Sequence, residues 1–296
     1  MSRGNKDAAS GILNNSMRSN YSEYGVDEYY KKVGATYRNP HFPGVRQCLF
    51  QWLNKWWEYE HEKLGGELFT IFDMASGRCL LSLFFSLHTP DELLCSGEVT
   101  VAFMEWWLLG KASTPNTATQ QPTHIAIQKR PAISAPSIPS NVTTPRILAA
   151  DPYTAEAYEA RTRLQCAPLS FQDIAEGALP HVKPKTVAPT SNDISPELSS
   201  LEADTLDVPV IEMVICSFAL HLIENPSELF SLLWELSTKC RWLVVLAPHK
   251  KPEIKPGWGW MKWDVETWSE CLMTQSTGEF LKDRVHCRVY RSLKYQ

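Results

Sequence analysis

No two cysteines stand at C-x-x-C spacing, and no histidines join cysteines at zinc-ligand intervals, although the chain holds eight cysteines in 296 residues. That excludes the common structural zinc sites and the thioredoxin-like redox pair, so no metal is expected. Thiols scattered in this way read as small buried residues of a reducing compartment. No G-x-G-x-x-G occurs, which disfavours a nicotinamide-dinucleotide site. The best apolar run, Cys79 to Leu87, is far too short to span a bilayer, and the opening MSRGNKDAASGILNNSMRSN lacks the apolar core of a signal peptide. Net charge is only −4, with a pI near 6.1, so no overall positive field favours nucleic acid. A cytoplasmic protein with no membrane partner is expected, with the nucleus as the alternative.

What is present is ample apolar content, 44%, patterned as alternating strands and helices. Residues 1–20 are small and polar and read as disordered, leaving 21–296 as a single domain. Pro43 sits at a helix start, and Val45, Leu49, Trp52, Leu53 and Trp56 follow along one face toward Gly65. Short apolar runs predict buried strands ending at Asp73, over Arg146 to Ala150, over Glu212 to Phe218 and over Trp242 to Ala247. A third strand in the chain order is placed within CAPLSFQDIAEG, ending near Asp173. Asn225-Pro226-Ser227-Glu228 is a helix start, and Val285, Cys287 and Val289 alternate with polar residues as in a strand with one solvated face. Three stretches, 78–95, 112–145 and 181–207, interrupt this pattern as inserted loops. The fold class expected is α/β, a Rossmann-like doubly wound and mostly parallel sheet.

The stretch Leu68 to Lys111 organises the rest. A strand ends in DMASG, and after about eighteen residues the text resumes as SGEVT at a helix start. Joined, they make a strand, an acidic and glycine-containing loop, and a helix whose first turn offers free N–H groups. At these residues the chain resembles the class I S-adenosylmethionine-dependent methyltransferases, whose first motif has the form D-x-A-x-G-x-G-E, and more narrowly a group of uncharacterised fungal methyltransferase-like proteins. The intervening Arg78 to Cys95 reads as a retained intron or gene-model error, with natural loop expansion as the alternative.

The resemblance implies seven strands, with a late antiparallel strand inserted beside the fifth, and S-adenosylmethionine as cofactor. It assigns Asp73, Ala75, Gly77, Ser96, Gly97 and Glu98 to the loop beneath the methionine and ribose portions of that molecule. Asp151 is assigned to the ribose hydroxyls, Asp173 to the adenine amino group, and Ser217 and Phe218 to the neighbourhood of the methyl group. A methyl sulfonium is already a strong electrophile, so the protein chiefly aligns donor and acceptor and excludes water. His221, just after the fourth strand, is the candidate base for an acceptor hydroxyl or amine, and a structural histidine between Leu220 and Leu222 is the alternative.

Two further features stay open. Asn39 and His41 lie in the turn before the first helix. The stretch APHKKPEIKPGWGWMKWD mixes Lys250, Lys251, Lys255 and Lys262 with Trp258, Trp260 and Trp263, either as a lid on a planar or anionic acceptor or as an ordered loop with solvated lysines. The acceptor, small or macromolecular, is not legible. A non-catalytic binding or scaffold protein and an RNA-modifying enzyme are the alternative functions.

Overall fold

In the computed structural model, residues 41–65, 68–74, 97–113, 134–180, 210–275 and 278–295 are described. The expectations for residues 1–20, for the inserts at 78–95 and 181–207, for the centre of 112–145, and for Asn39, Ala75, Gly77 and Ser96 lie outside them. Helix α1 (Phe42–Glu60) has its proline in the first turn, where the missing N–H costs no helical hydrogen bond. Apolar residues at helical spacing put Val45, Leu49, Trp52, Leu53 and Trp56 on its buried side. A 3₁₀ turn, His61–Leu64, ends at Gly65 in the left-handed region.

The remaining elements are β1 (Thr70–Met74), α2 (Glu98–Ala112), β2 (Arg146–Ala150), α3 (Ala155–Thr162), α4 (Phe171–Ala175), β3 (Ile211–Ser217), a 3₁₀ turn (Leu220–Leu222), α5 (Pro226–Ser237), β4 (Cys240–Ala247), β5 (Trp260–Asp264), β6 (Ser269–Glu270), β7 (Phe280–Lys282) and β8 (Val285–Ser292). The strands form one sheet in the order β2-β1-β3-β4-β8-β5-β6, with β7 beside β8. Neighbours from β2 to β4 are parallel. Strand β8 is antiparallel to β4, β5 and β7, and β6 is antiparallel to β5. Among the described strands, β6 and β8 therefore run against the rest, and the protein is α/β with a mixed, mostly parallel sheet.

Alternation along the strands divides the core. Ile71, Met213, Ile215, Val244 and Leu246 face α1 and α2, whereas Phe72, Met74, Val214, Cys216 and Val245 face the side covered by α4 and α5. Helix α5 begins as its sequence predicts, with Asn225 Oδ1 accepting from the Ser227 N–H at 2.9 Å.

Two expectations are corrected. The strand placed before Asp173 is reduced to one parallel bridge, Ala150 to Ala167, and the residues after it turn into α4. Ser170 and Asp173 form a capping box, and that local pairing outcompetes extension of the sheet. The tryptophan- and lysine-rich stretch is not a lid over its second half, because Trp260, Lys262 and Trp263 lie in β5, paired with β8. Trp260 is buried and donates its Nε1–H to the Leu233 carbonyl at 2.7 Å, and Lys262 is buried in an ion pair with Glu279 rather than solvated.

Candidate functional site at the carboxyl ends of the parallel strands

Strands β1, β2 and β3 end in register. Asp73 lies opposite Ala149 on one side and Ile215 on the other. Asp151 follows the last residue of β2, and Ser217 closes β3, so these three polar side chains belong to one edge of the sheet. This is where open α/β sheets bind their ligands.

The first turn of α2 is built onto Asp73. Its N-cap residue, Gly97, has no side chain to satisfy the free N–H groups. Asp73 Oδ2 supplies the missing acceptor from the strand, taking the Thr100 N–H at 3.1 Å and the Thr100 hydroxyl at 2.7 Å. The Thr100 oxygen also stands 2.9 Å from the phenol oxygen of the buried Tyr158 on α3. Since the threonine's single hydroxyl hydrogen points to the carboxylate, Tyr158 is the donor in that second bond. One short chain of hydrogen bonds thus joins β1, α2 and α3.

Gly97 makes this junction fit. Its φ is 73°, and a Cβ there would come 2.8 Å from Thr162 Cγ2 and 2.9 Å from Tyr158 Cδ2. Glu98, the first residue of α2, is buried at the same point.

Electrostatics set Asp73 apart. The side chain is fully buried, and burial raises its pKa to about 7 despite the two Thr100 hydrogen bonds, with the charge of Asp151 adding to the rise. Asp151 is buried as well, and its Oδ1 closes the turn into α3 by accepting from the N–H groups of Tyr153 at 2.8 Å and Thr154 at 2.9 Å. Among the described residues, two buried oxygens on this edge have no hydrogen-bond partner, Asp73 Oδ1 and Ser217 Oγ. Orphaned buried acceptors are uncommon and costly, and here they mark the place where the fold leaves bonding capacity unused.

Phe218 adds a strained backbone to the same edge. Its φ is 55°, uncommon for a side chain of this size, while its N–H still donates to Leu246 at 2.8 Å. That twist stacks its ring on His41, at the start of α1, with centroids 5.4 Å apart and planes 20° from parallel. His41 therefore belongs to the site. His221 sits half-buried in the 3₁₀ turn that follows.

Asp173 does not join this group through its carboxylate. Oδ2 accepts from the Ser170 N–H at 2.7 Å and the Ser170 hydroxyl at 2.6 Å, and those bonds hold its pKa below the usual range. Thr100 and Tyr158 carry no motif in the sequence. Thr100 lies 27 residues beyond Asp73, and only the folded chain shows that the strand-end carboxylate caps the following helix. Among the described residues, no three His, Cys, Asp or Glu side chains converge as a metal site, and no helix is long and apolar enough to cross a membrane. A depression of ≈ 400 Å³ between Asn54, Trp57 and Ser134 contains none of the strand-end residues.

The chain is 39% identical over 277 residues to an uncharacterised protein of Schizosaccharomyces pombe, covering 94% of this chain and 92% of the yeast protein. The chain belongs to the family of that yeast protein. No family model matches it. Membership extends along nearly the whole length of both proteins, so the family likeness spans the mixed sheet and its strand-end site together.

Proposed function

We propose that the protein binds S-adenosylmethionine at the carboxyl edge of β1, β2 and β3 and transfers its methyl group to an acceptor. The observation that carries this reading is the pair of buried carboxylates, Asp73 and Asp151, at the ends of adjacent parallel strands, with Asp73 Oδ1 unpartnered. Such an edge repels phosphate and favours a cationic ligand rich in hydrogen-bond donors. S-adenosylmethionine brings an ammonium, a sulfonium and ribose hydroxyls. The strand order supports the finer fold as well. Counting the bridge at Ala167 as a vestigial outer strand and β8 as the antiparallel insertion beside β4, that order lends support to the Rossmann-like sheet that the resemblance implies.

When bound, S-adenosylmethionine would supply an electrophilic methyl group to the lone pair of an acceptor, with its own sulfur as the leaving group. The acceptor proton passes to a base, for which His221 is the candidate, or to water. Asp73, Asp151, Gly97 and Glu98 would hold the donor, with Ser217 and the strained Phe218 near the transferred group.

A second reading, a non-catalytic binding protein, is favoured by one observation. Asp73 Oδ2 and Asp151 Oδ1 are already spent on the protein's own donors. The RNA-modifying reading loses ground because Trp260 and Lys262 are engaged inside the sheet.

Calorimetric titration with S-adenosylmethionine tests the proposal on the full chain and on a variant lacking residues 78–95. Binding by both, tighter without the insert, is the expected outcome. Equal, tight binding by the two makes the stretch a harmless loop, and no binding by either refutes the methyl-donor reading.

A further inference from the structure

Capping of α2 accounts for Asp73 Oδ2 and leaves Oδ1 unexplained. A carboxylate needed only as a cap has no reason to carry its second oxygen buried and unpaired. Among the described residues, the charge that acts on Asp73 is that of Asp151, just after β2, which is an anion, and the neighbouring Tyr158 phenol on α3 and Cys216 thiol on β3 are held neutral by burial. A buried carboxylate normally has a cationic partner or gives up its charge. Here the fold supplies donors to one oxygen and nothing to the other. Thr100 is the source of both donors, and its hydroxyl is aimed by Tyr158, which leaves the threonine oxygen one hydrogen to give and one direction in which to give it.

We propose that Thr100 is a positioning residue for the ligand site: it fixes Asp73 so that Oδ1 alone meets a cationic hydrogen-bond donor, whose binding displaces a proton from the carboxylate to solvent. The inference rests on the methyl-donor reading of this edge and adds to it the residue that sets the charge of Asp73 and the stoichiometry of proton release. The balance is simple. A protonated Asp73 loses its O–H proton to buffer, the carboxylate accepts the ligand's N–H, and no other bond changes. With burial raising the carboxyl's pKa to about 7, part of the free protein carries that proton at pH 7, so binding there releases a fraction of a proton. Affinity falls toward tenfold per pH unit below that range.

Two measurements on the full chain test this. In the ligand-free protein, ¹³Cγ-labelled aspartate gives the titration of Asp73, assigned by loss of its signal in Asp73→Asn. A midpoint near 7 that moves upward in Thr100→Val and returns in Thr100→Ser supports the proposal, since removing the hydroxyl donor disfavours the charged form and serine restores it. A midpoint in the ordinary carboxylate range in the wild-type protein overturns it. In the second measurement, S-adenosylmethionine is titrated at pH 7 in buffers of different ionisation enthalpy. Measurable proton release in the wild type, larger in Thr100→Val and unchanged in Thr100→Ser, supports the proposal. Binding with the same heat in every buffer overturns it while leaving the methyl-donor reading intact, whereas absence of binding overturns both. A merely structural threonine would alter stability without moving the number of protons released.

Discussion

Replacing Gly97 by alanine strikes the junction of β1, α2 and α3 without removing a functional group. Two costs are expected. At φ 73° a non-glycine residue pays about 1–2 kcal/mol for the left-handed conformation. The added methyl would also stand 2.8 Å from Thr162 Cγ2 and 2.9 Å from Tyr158 Cδ2. Neither neighbour can swing aside cheaply. Thr162 is tied by its hydroxyl to the Tyr158 carbonyl at 2.8 Å, and Tyr158 is buried with its phenol bonded to Thr100. Overpacking of this kind adds about 1–3 kcal/mol, for a total of about 2–5 kcal/mol. Gly65→Ala is the control, because its φ of 59° carries the same backbone cost and nothing lies within 4 Å of the added Cβ. Urea unfolding followed by tryptophan fluorescence gives both values, provided the slopes agree. Equal destabilisation by the two substitutions would refute the claim that Gly97 is there to admit α3.

Asp73→Asn should flatten the pH dependence of stability. The folded-state pKa is raised, so the stability attached to the carboxyl is fully present below its ordinary value of 3.8 and is lost as pH rises through about 7, and denaturation midpoints at several pH values will show the slope in wild type and not in the variant. Asp151→Ala should weaken S-adenosylmethionine binding roughly ten- to a hundredfold. It should also cost about 1 kcal/mol of stability through the lost turn bonds, and unchanged affinity in calorimetry removes Asp151 from the site. The Arg46–Glu105 pair, bidentate at 2.6 Å, holds the Glu105 pKa low, so what it contributes is present at neutral pH and lost as pH falls through that lowered value. The pair is partly exposed, and Arg46→Met should cost less than about 1 kcal/mol by thermal unfolding, with a larger loss showing that it does more than tie α1 to α2.

The parallel half of the sheet is legible in the sequence because its strands are buried on both faces and read as continuous apolar runs. Arg146–Ala150 is the strand its text predicts, and β3 and β4 differ from expectation by one or two residues at their ends. The antiparallel half is harder to read. Strand β5 carries Trp260, Met261, Lys262 and Trp263 in a row, and pairing with β8, the ion pair to Glu279 and the Gln275 carbonyl explain how a lysine enters a buried strand. Asp173 misleads for another reason. A carboxylate three residues after a serine can end a strand or close a capping box, and the nearer partner won. Asp73, Gly97, Asp151, Ser217 and Phe218 are singled out in the sequence by the resemblance, and the strands they end or follow bring Asp73, Asp151 and Ser217 to one edge of the sheet. Thr100 and Tyr158 are not singled out, since what selects them is a distance across the fold and not a spacing.

Helix α1 is made early and completed late. Gln47 bonds to Asp283, 236 positions further on, and the thiol of Cys48 reaches the Val285 carbonyl, 237 positions away. During synthesis on the ribosome, the first two turns of α1 must therefore wait for the residues around 285 to emerge. At ~5–20 residues per second that wait is roughly 10 to 50 seconds. For that interval the side of α1 around Gly44 and Cys48 stays uncovered on a nascent chain, the kind of segment that chaperones hold. A nascent chain halted before β8 would carry α1 seated on β1, β3 and β4 with its first two turns still open, a half-covered helix that marks the chain as a client for degradation.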